Sequence, residues 1–314
     1  MINIGLIGLG NIGYDYDSHN ESLVLSHARA IKNCIGLNLL VAIDPNPNKR
    51  AKFSKQYLAD FLLKEIDKKI CKKIDLAIVA SPPESHLKIL LDLVELGVQK
   101  FIIEKPITDN ENDTSEFMDH VKKNNLNVFV NYVRPYTYGI SQVKKYLGHE
   151  KLGKVMKASI FFSGDILTSG GHFIDLALYL FDNNLTGKNS IKFVSPNLFS
   201  IDFNGTQVDF NVINDLNYSL GKGLFFLENG YIKFNDGDKV EIFSTEPNTH
   251  FINEFSLSSE MTFGNYDGQY LAQVYNEVFA NYDNETFFKK SIFRAKRAED
   301  LSFEIKKRMK NASN

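Results

Sequence analysis

Gly8, Gly10 and Gly13 close a short apolar run, residues 2–7, in the order G-x-G-x-x-G. Each glycine has a mechanical reading in a dinucleotide site. Gly8 lets the chain turn sharply out of a strand. Gly10 lets backbone approach a pyrophosphate with no Cβ between them, and Gly13 lets the next segment pack closely on the sheet. With Asn11 and Ile12, these residues would offer free backbone N–H groups at a helix N-terminus, where the dipole favours an anion. A glycine-rich turn without a ligand is the competing reading. A second apolar run, residues 39–43, argues against it, because it ends in Asp44. A carboxylate there can accept both hydroxyls of an NAD ribose and would repel the 2′-phosphate of NADP. Lys49 and Arg50 are the opposing signal, since either can fold back onto a phosphate. The gap from glycines to acid exceeds the usual ~20 residues. Residues 14–25 read as an insertion that accounts for the excess. Within it Tyr14, Asp15, Tyr16, Asp17 and His19 form either a lid over the cofactor or a surface loop.

Further polar clusters follow apolar runs. Ser81-Pro82 with His86 follows residues 74–80, and Glu104-Lys105-Pro106 follows residues 100–103. A lysine at a strand end can donate to a bound substrate and stabilise an alkoxide, or exchange a proton if burial lowers its pKa. A surface lysine paired with Glu104 is the plainer alternative. Gly170-Gly171-His172 precedes Asp175 by one helical step, so His172 and Asp175 share a face, and the glycines would leave room for a ligand. Histidine titrates near neutrality and suits acid–base work on a hydroxyl; a structural cap and pair is the other reading. Tyr132 and Arg134 leave the last strand of the first half, and Arg134 can clamp a phosphate or carboxylate through two N–H bonds, or anchor one domain to the other.

Positioning such groups takes strands that end together. Short apolar strands alternate with helical segments through residue 133, which predicts βαβ units and a parallel sheet. In such sheets ligands sit beyond the carboxyl ends of the strands, where all these clusters lie. Helices are expected near residues 26–34, 49–57, 86–96 and 113–123, and residues 58–73 look helical. Beyond 133 the pattern changes. Residues 190–245 alternate apolar and polar, with hairpin signals at Asn204-Gly205, Asn229-Gly230 and Asp236-Gly237. This predicts a largely antiparallel sheet with one wet face. Residues 246–266 are the least patterned. In the last helix Ile292, Ala295, Ala298, Leu301, Ile305 and Met309 share a face. The expected organisation is a domain of residues 1–133 and a second of 134–314.

The composition narrows the class. At 43% hydrophobic and 24% charged, with a net charge of −2, the chain is an ordinary globular one without the basic excess of a nucleic-acid binder. No apolar run reaches the ~20 residues of a membrane span. With no signal peptide at the N-terminus and only Cys34 and Cys71 as thiols, a cytoplasmic protein is expected. No metal-binding pattern is present.

The ordered set of Gly8–Gly13, Asp44-Pro45, Ser81-Pro82 with His86, Glu104-Lys105-Pro106, and His172 with Asp175 resembles the Gfo/Idh/MocA family of NAD(P)-dependent sugar oxidoreductases. The resemblance implies a Rossmann domain followed by an α/β domain with a large, open, mainly antiparallel sheet. It also implies substrate in the cleft between them and a homo-oligomer, dimer or tetramer, assembled through the outer sheet face. It assigns catalysis to Lys105 and His172, substrate binding to Asp175, and the cofactor to Gly8, Gly10, Asn11, Ile12, Gly13, Asp44, Ser81, Pro82, His86, Glu104 and Lys105. Tyr132 and Arg134 join the substrate set. Many members carry Asp four residues before the histidine; Thr168 stands there. The run 131–136 with 169–175 is similar to a branch linked to bacterial surface-polysaccharide synthesis, which points to a nucleotide sugar. A free monosaccharide or inositol-type polyol is the alternative substrate, and a non-catalytic dinucleotide sensor the alternative function.

Overall fold

The computed structural model describes residues 1–182, 189–195, 197–235, 238–264 and 268–312. The chain divides into two units, Met1–Val133 with Gly268–Lys296, and Arg134–Asp267 with Arg297–Asn314.

The first unit is built on a parallel sheet. Its strands are β1 (Ile2–Ile7), β2 (Leu37–Ile43), β3 (Phe61–Leu63), β4 (Leu76–Val79), β5 (Lys100–Ile103) and β6 (Asn127–Val130), in the order β3-β2-β1-β4-β5-β6. All neighbours pair in parallel. The central strands are apolar along their length because helices cover both faces, so every residue of β4 is buried. The chain runs outward through β2 and β3, then returns to β4 on the other side of β1. That reversal opens a crevice at the carboxyl end of β1, where the glycines stand. The helices are α1 (His27–Asn33), α2 (Pro47–Phe53), α3 (Lys68–Cys71), α4 (His86–Val94) and α5 (Glu111–Lys123). Side chains of Ser26, Asn46, Asp67 and Asn110 cap four of them. Residues 58–73, expected to be helical, hold instead the strand β3 and a single turn. Phe61 and Leu62 are exposed at the sheet edge, so no helical period of burial exists to read.

The insertion is anchored. Tyr14 is buried edge-on to Phe53 and Tyr57, at 5.6 and 6.5 Å between centroids. Asp17 is buried and accepts from Leu25 N–H at 2.7 Å, Ser26 N–H at 2.8 Å and Ser26 Oγ at 2.7 Å. Of the suggested lid residues only Asp15, Tyr16 and His19 are exposed.

The second unit opens with α6 (Tyr138–Tyr146), the strand β7 (Val155–Phe162) and α7 (Gly171–Phe181). There follow β8 (Ile191–Ser195), β9 (Leu198–Phe203), β10 (Thr206–Val212), β11 (Gly221–Leu227), β12 (Gly230–Asn235), β13 (Lys239–Pro247) and β14 (Phe255–Phe263). They form an eight-stranded sheet ordered β14-β13-β12-β11-β7-β10-β9-β8. Every pairing is antiparallel except β7 with β10. Inward residues such as Phe162, Phe210, Phe225 and Ile242 are fully buried and alternate with outward polar ones. Asn204-Gly205 forms the two-residue β9–β10 turn with both φ positive, 53° and 89°. The β11–β12 turn falls one residue earlier than expected, on Glu228-Asn229, because Leu227 pairs with Gly230. Asp236-Gly237 lies outside the described residues. The strand β14 falls in the stretch that carried no pattern.

The last helices are α8 (Tyr270–Ala280) and α9 (Glu285–Ala312). Residues 268–296, expected in the second domain, belong to the first unit, since α8 packs on α1. The apolar stripe of α9 is divided: Ile292 and Ala295 enter the first unit's core, Ala298, Leu301 and Ile305 the second's. No described helix is long and apolar enough to cross a membrane.

Replacing Asp17 by Ala would strand buried N–H donors and the Arg29 guanidinium, 4.0 Å away. A loss of about 3 kcal/mol or more follows, read as a lowered midpoint in urea unfolding; an unchanged midpoint would show that the insertion needs no such anchor.

Candidate active site

The glycine turn is shaped by close backbone approaches. Gly8 has φ +100°, and a Cβ there would lie 2.5 Å from the Ala80 carbonyl carbon. A Cβ on Gly13 would lie 2.2 Å from the Gly8 carbonyl oxygen, so the turn folds only with glycine at both. Gly10 differs. Its Cβ would meet only Lys49 Nζ, at 3.9 Å, which leaves an open face for a ligand. The expected helix after the glycines is one wide turn, Asn11–Asp15, with Tyr16 N–H donating to the Asn11 carbonyl at 2.9 Å. Such five-residue spacing is rare and recurs at functional sites. Its first N–H groups lack partners within the turn.

A cavity of about 730 Å³ opens on this turn. Gly8, Gly10, Asp44, Ser81 and Pro82 line it, as do Ile66 and Ile89. The Asp44 carboxylate is buried and oriented: one oxygen accepts from Leu9 N–H at 2.9 Å, the other from Asn46 N–H at 2.8 Å. An ionised carboxylate has about four acceptor positions, so it keeps capacity for a ribose. Arg50 is committed elsewhere, donating to the carbonyls of Asp44 at 2.6 Å and Pro45 at 3.0 Å. Lys49 Nζ stands 3.8 Å from Asp44. An open glycine face, an oriented acid and a cavity with apolar walls fit a nicotinamide dinucleotide.

His86 is wholly buried, its ring nitrogens facing the carbonyls of Ile107 at 3.0 Å and Ser81 at 2.8 Å. It ties the Ser81 loop to the loop that carries Lys105 and does not line the cavity. Burial pushes its pKa down, against the raising effect of those carbonyls and of Glu104. Glu104 is buried as well. Its Oε1 accepts from Asn131 Nδ2 at 2.6 Å and lies 3.0 Å from His27 Nε2. Desolvation acts to raise its pKa, but the hydrogen bond and charge of His27, the Asn131 hydrogen bond and the Lys105 charge outweigh it and hold the carboxyl below its usual range. The Lys105–Pro106 peptide is cis. Tyr132 is buried in the first unit's core.

In the second unit, His172 stands in the first turn of α7, partly exposed, and Asp175 is fully buried one step along. The Arg134 guanidinium lies over the Phe173 ring, 4.2 Å from its centroid, which sets it against the same helix. A second wide turn, Ile166–Gly170, leads into α7. Thr168 is exposed on it, and Asp165, three residues earlier in the chain, caps the turn through Leu167 N–H at 2.8 Å. Gly170 makes no room for a ligand: a Cβ there would lie 2.6 Å from Ile166 Cδ1. Beside this turn a polar cavity of about 760 Å³ is lined by Ser163, Ser169, Asn214, Asp215, Asn217 and Tyr218. Among the described residues no group of His, Cys, Asp and Glu suits a metal ion.

His27 and Tyr275 escaped the sequence reading. Their one signal, polar side chains on the buried faces of amphipathic helices, is too common to mark a site. The cavity walls at Lys64, Glu65, Lys88 and Asp92 were also missed.

Residues 2–132 match the oxidoreductase family with an NAD-binding Rossmann fold, Gfo/Idh/MocA. No curated protein matches the chain. Among solved structures, a dehydrogenase (MviM) from Clostridium difficile is similar at 17% identity and a TM-score of 0.73, covering 97% of this chain and 98% of the other. Levoglucosan dehydrogenase, in complex with NADH and levoglucosan, is similar at 16% identity and 0.75, over 99% and 98%. The 3-ketoreductase KijD10 from Actinomadura kijaniata, in complex with NADP and TDP-benzene, is similar at 12% identity and 0.70, over 95% and 96%. At these identities the likeness is one of fold.

The open face at Gly10 yields a test. Gly10→Ala should leave apo stability within about 0.5 kcal/mol while weakening NADH binding tenfold or more by calorimetry. Gly13→Ala should lose the fold instead. An NADH affinity that survives Gly10→Ala would place the diphosphate elsewhere.

Proposed function

We propose that the chain is an oxidoreductase of the Gfo/Idh/MocA family, whose model its residues 2–132 match, and that it transfers hydride between NAD and a secondary hydroxyl or keto carbon of a sugar or nucleotide sugar. The observation that carries this reading is the buried, oriented Asp44 carboxylate on the cavity of the glycine turn. Gly8, Gly10, Asn11, Ile12, Gly13, Asp44, Ser81 and Pro82 would hold the dinucleotide. Asp44 favours NAD because a 2′-phosphate would meet an anion; Arg50 is occupied by backbone carbonyls, and Lys49, which lines the cavity, stands 3.8 Å from Asp44 itself.

A nicotinamide held there would supply the hydride acceptor or donor. The chain's own groups must manage the proton and the charge. His172 is the proton carrier, because an imidazole's ordinary pKa near 6.5 lets it change state at working pH. Lys105 donates a hydrogen bond to the substrate oxygen and stabilises negative charge as it develops there. Asp175, Arg134 and Tyr132 complete the proposed substrate set. The hydroxyl- and amide-lined cavity beside residues 166–170 supports a polyhydroxylated substrate. A sugar nucleotide is one form, in keeping with the ketoreductase crystallised with a TDP ligand. A free monosaccharide or polyol is the other, in keeping with the levoglucosan enzyme.

Assembly into a symmetric dimer or tetramer belongs to the same proposal. The outward face of the large sheet carries the stacked rings of Phe226, Tyr231 and Phe243, with centroids 5.9 and 4.4 Å apart, among ion pairs such as Lys233–Glu241 at 2.5 Å.

A panel of sugars and nucleotide sugars, followed by nicotinamide absorbance, tests the activity. With the substrate found, Lys105→Ala and His172→Ala should each lower turnover by about 10²–10⁴-fold with little change in NADH affinity. Near-normal turnover in both would put the chemistry on other residues. Loss in Lys105→Ala alone would make the lysine the acid–base group.

A further inference from the structure

His86 faces more acceptors than a neutral imidazole can serve. It stands at the head of α4 and is wholly buried. Its Nε2 faces the Ser81 carbonyl at 2.8 Å and its Nδ1 the Ile107 carbonyl at 3.0 Å. A carbonyl oxygen only accepts, so each contact is a hydrogen bond only where the ring nitrogen carries a proton. A neutral imidazole has one N–H and an imidazolium two. In the neutral ring one nitrogen therefore turns its lone pair toward a carbonyl oxygen, out of reach of water. The proton then belongs on Nε2, where the contact is shorter, and the Ile107 bond is the one left unmade. Both carbonyls sit in working loops. Ser81 lines the nucleotide cavity, and Ile107 follows Lys105 and Pro106 directly.

Opposing influences hold the ring near its switching point. Burial, the largest, favours the neutral form. The carbonyls of Ser81, Ile107 and Pro106 and the Glu104 carboxylate favour the charged one, and the balance leaves the pKa below the ordinary imidazole value. Glu104, directly after β5, is the charged group that acts on the ring from the neighbouring elements. On its own helix Lys88 is exposed and bonded to Asp92 at 2.6 Å. A dinucleotide would bring the negative charge of its diphosphate to the cavity that Ser81 lines, and a nearby anion favours the imidazolium. We propose that His86 is a proton-operated brace. As an imidazolium it ties the nucleotide loop to the Lys105 loop, as a neutral ring it holds the nucleotide loop alone, and a dinucleotide in the cavity draws the proton on. The inference rests on the proposed nucleotide site and adds to it a positioning residue that lies outside the cavity wall. A proton taken up on binding makes affinity greater at low pH, and that gain is lost as pH rises through the midpoint of the bound form.

The brace is read first without nucleotide. In the ¹⁵N-labelled full-length chain, the His86 ring nitrogens, identified by their loss in His86→Gln, are followed against pH. The Thr108 amide nitrogen, whose peptide contains the Ile107 carbonyl, is followed with them. Above the midpoint the ring proton should sit on Nε2. Below it both ring N–H signals should appear, and the Thr108 nitrogen should shift with the same midpoint, a response that His86→Gln abolishes. Calorimetry of NAD binding in buffers of unlike ionisation enthalpy then counts the linked proton. The unsubstituted chain should take up part of a proton around and below the ordinary imidazole value of about 6.5. A bound-state midpoint raised by about one unit makes the affinity fall about tenfold as pH rises through this window, and His86→Gln should show no such slope. A Thr108 nitrogen that ignores the His86 midpoint, a neutral ring protonated on Nδ1, or proton uptake undiminished in His86→Gln overturns the proposal. Should His86→Gln fail to fold, the ring signals of the unsubstituted chain, assigned through bonds, decide alone, since their midpoint must rise when NAD is added. A chain that bound no NAD while Thr108 followed His86 would defeat the proposed activity and leave the brace standing.

Discussion

The hydrogen bond from Leu9 N–H to the Asp44 carboxylate carries more of the first unit than its 2.9 Å suggests. It joins the turn after β1 to the end of β2, and the second oxygen of Asp44 holds Asn46 at the start of the next helix. A buried carboxylate with backbone donors on both oxygens is worth roughly 1.5–3 kcal/mol per charged hydrogen bond. Its worth to the site is geometric. The same atoms that hold the glycine turn against β2 are those proposed to meet the ribose, so the ligand would find its acceptor already aimed.

The other strand ends are tied in the same manner. His86 spans the Ser81 and Ile107 carbonyls, and Glu104 gathers α1, β6 and α8 through His27, Asn131 and Tyr275. Loops at the carboxyl edge of a parallel sheet have no ladder to fix them. Buried polar bonds in a low-dielectric interior supply the missing constraint. The second unit uses a different device. Gly170 packs against Ile166 and Phe162, and a wide turn delivers His172 to the head of α7.

What the sequence reveals follows from how far each signal reaches. Parallel strands such as residues 76–79 are legible because burial on both faces writes an uninterrupted apolar run, and the glycine turn because steric demand at Gly8 and Gly13 admits no other residue. The strand β14 is illegible, since Phe255 and Leu257 are exposed at the sheet edge and alternate with half-buried Ser256 and Ser258. The wide turns at Asn11–Asp15 and Ile166–Gly170 leave no composition signal, because they differ from α-helix only in which carbonyl each N–H selects. Chain order alone puts residues 268–296 in the second half, and only the packing of α8 on α1 returns them to the first. His27 and Tyr275 stand 248 positions apart. No local pattern can relate them; only the fold brings them together beside Glu104. Asp44, by contrast, was legible as a ligand acid, but not as the residue that also holds the turn.

The nucleotide site is what every proposed role in this chain depends on. The chain has no tryptophan, so the fluorescence of a bound reduced nicotinamide can be followed without energy transfer from an indole. Titration of the protein with NADH and, separately, NADPH is the most direct measurement. Saturable binding with NADH tighter by tenfold or more, about 1.4 kcal/mol, is the predicted result. Equal or tighter binding of NADPH, or no binding of either, would contradict the reading of Asp44 and of the turn that it holds.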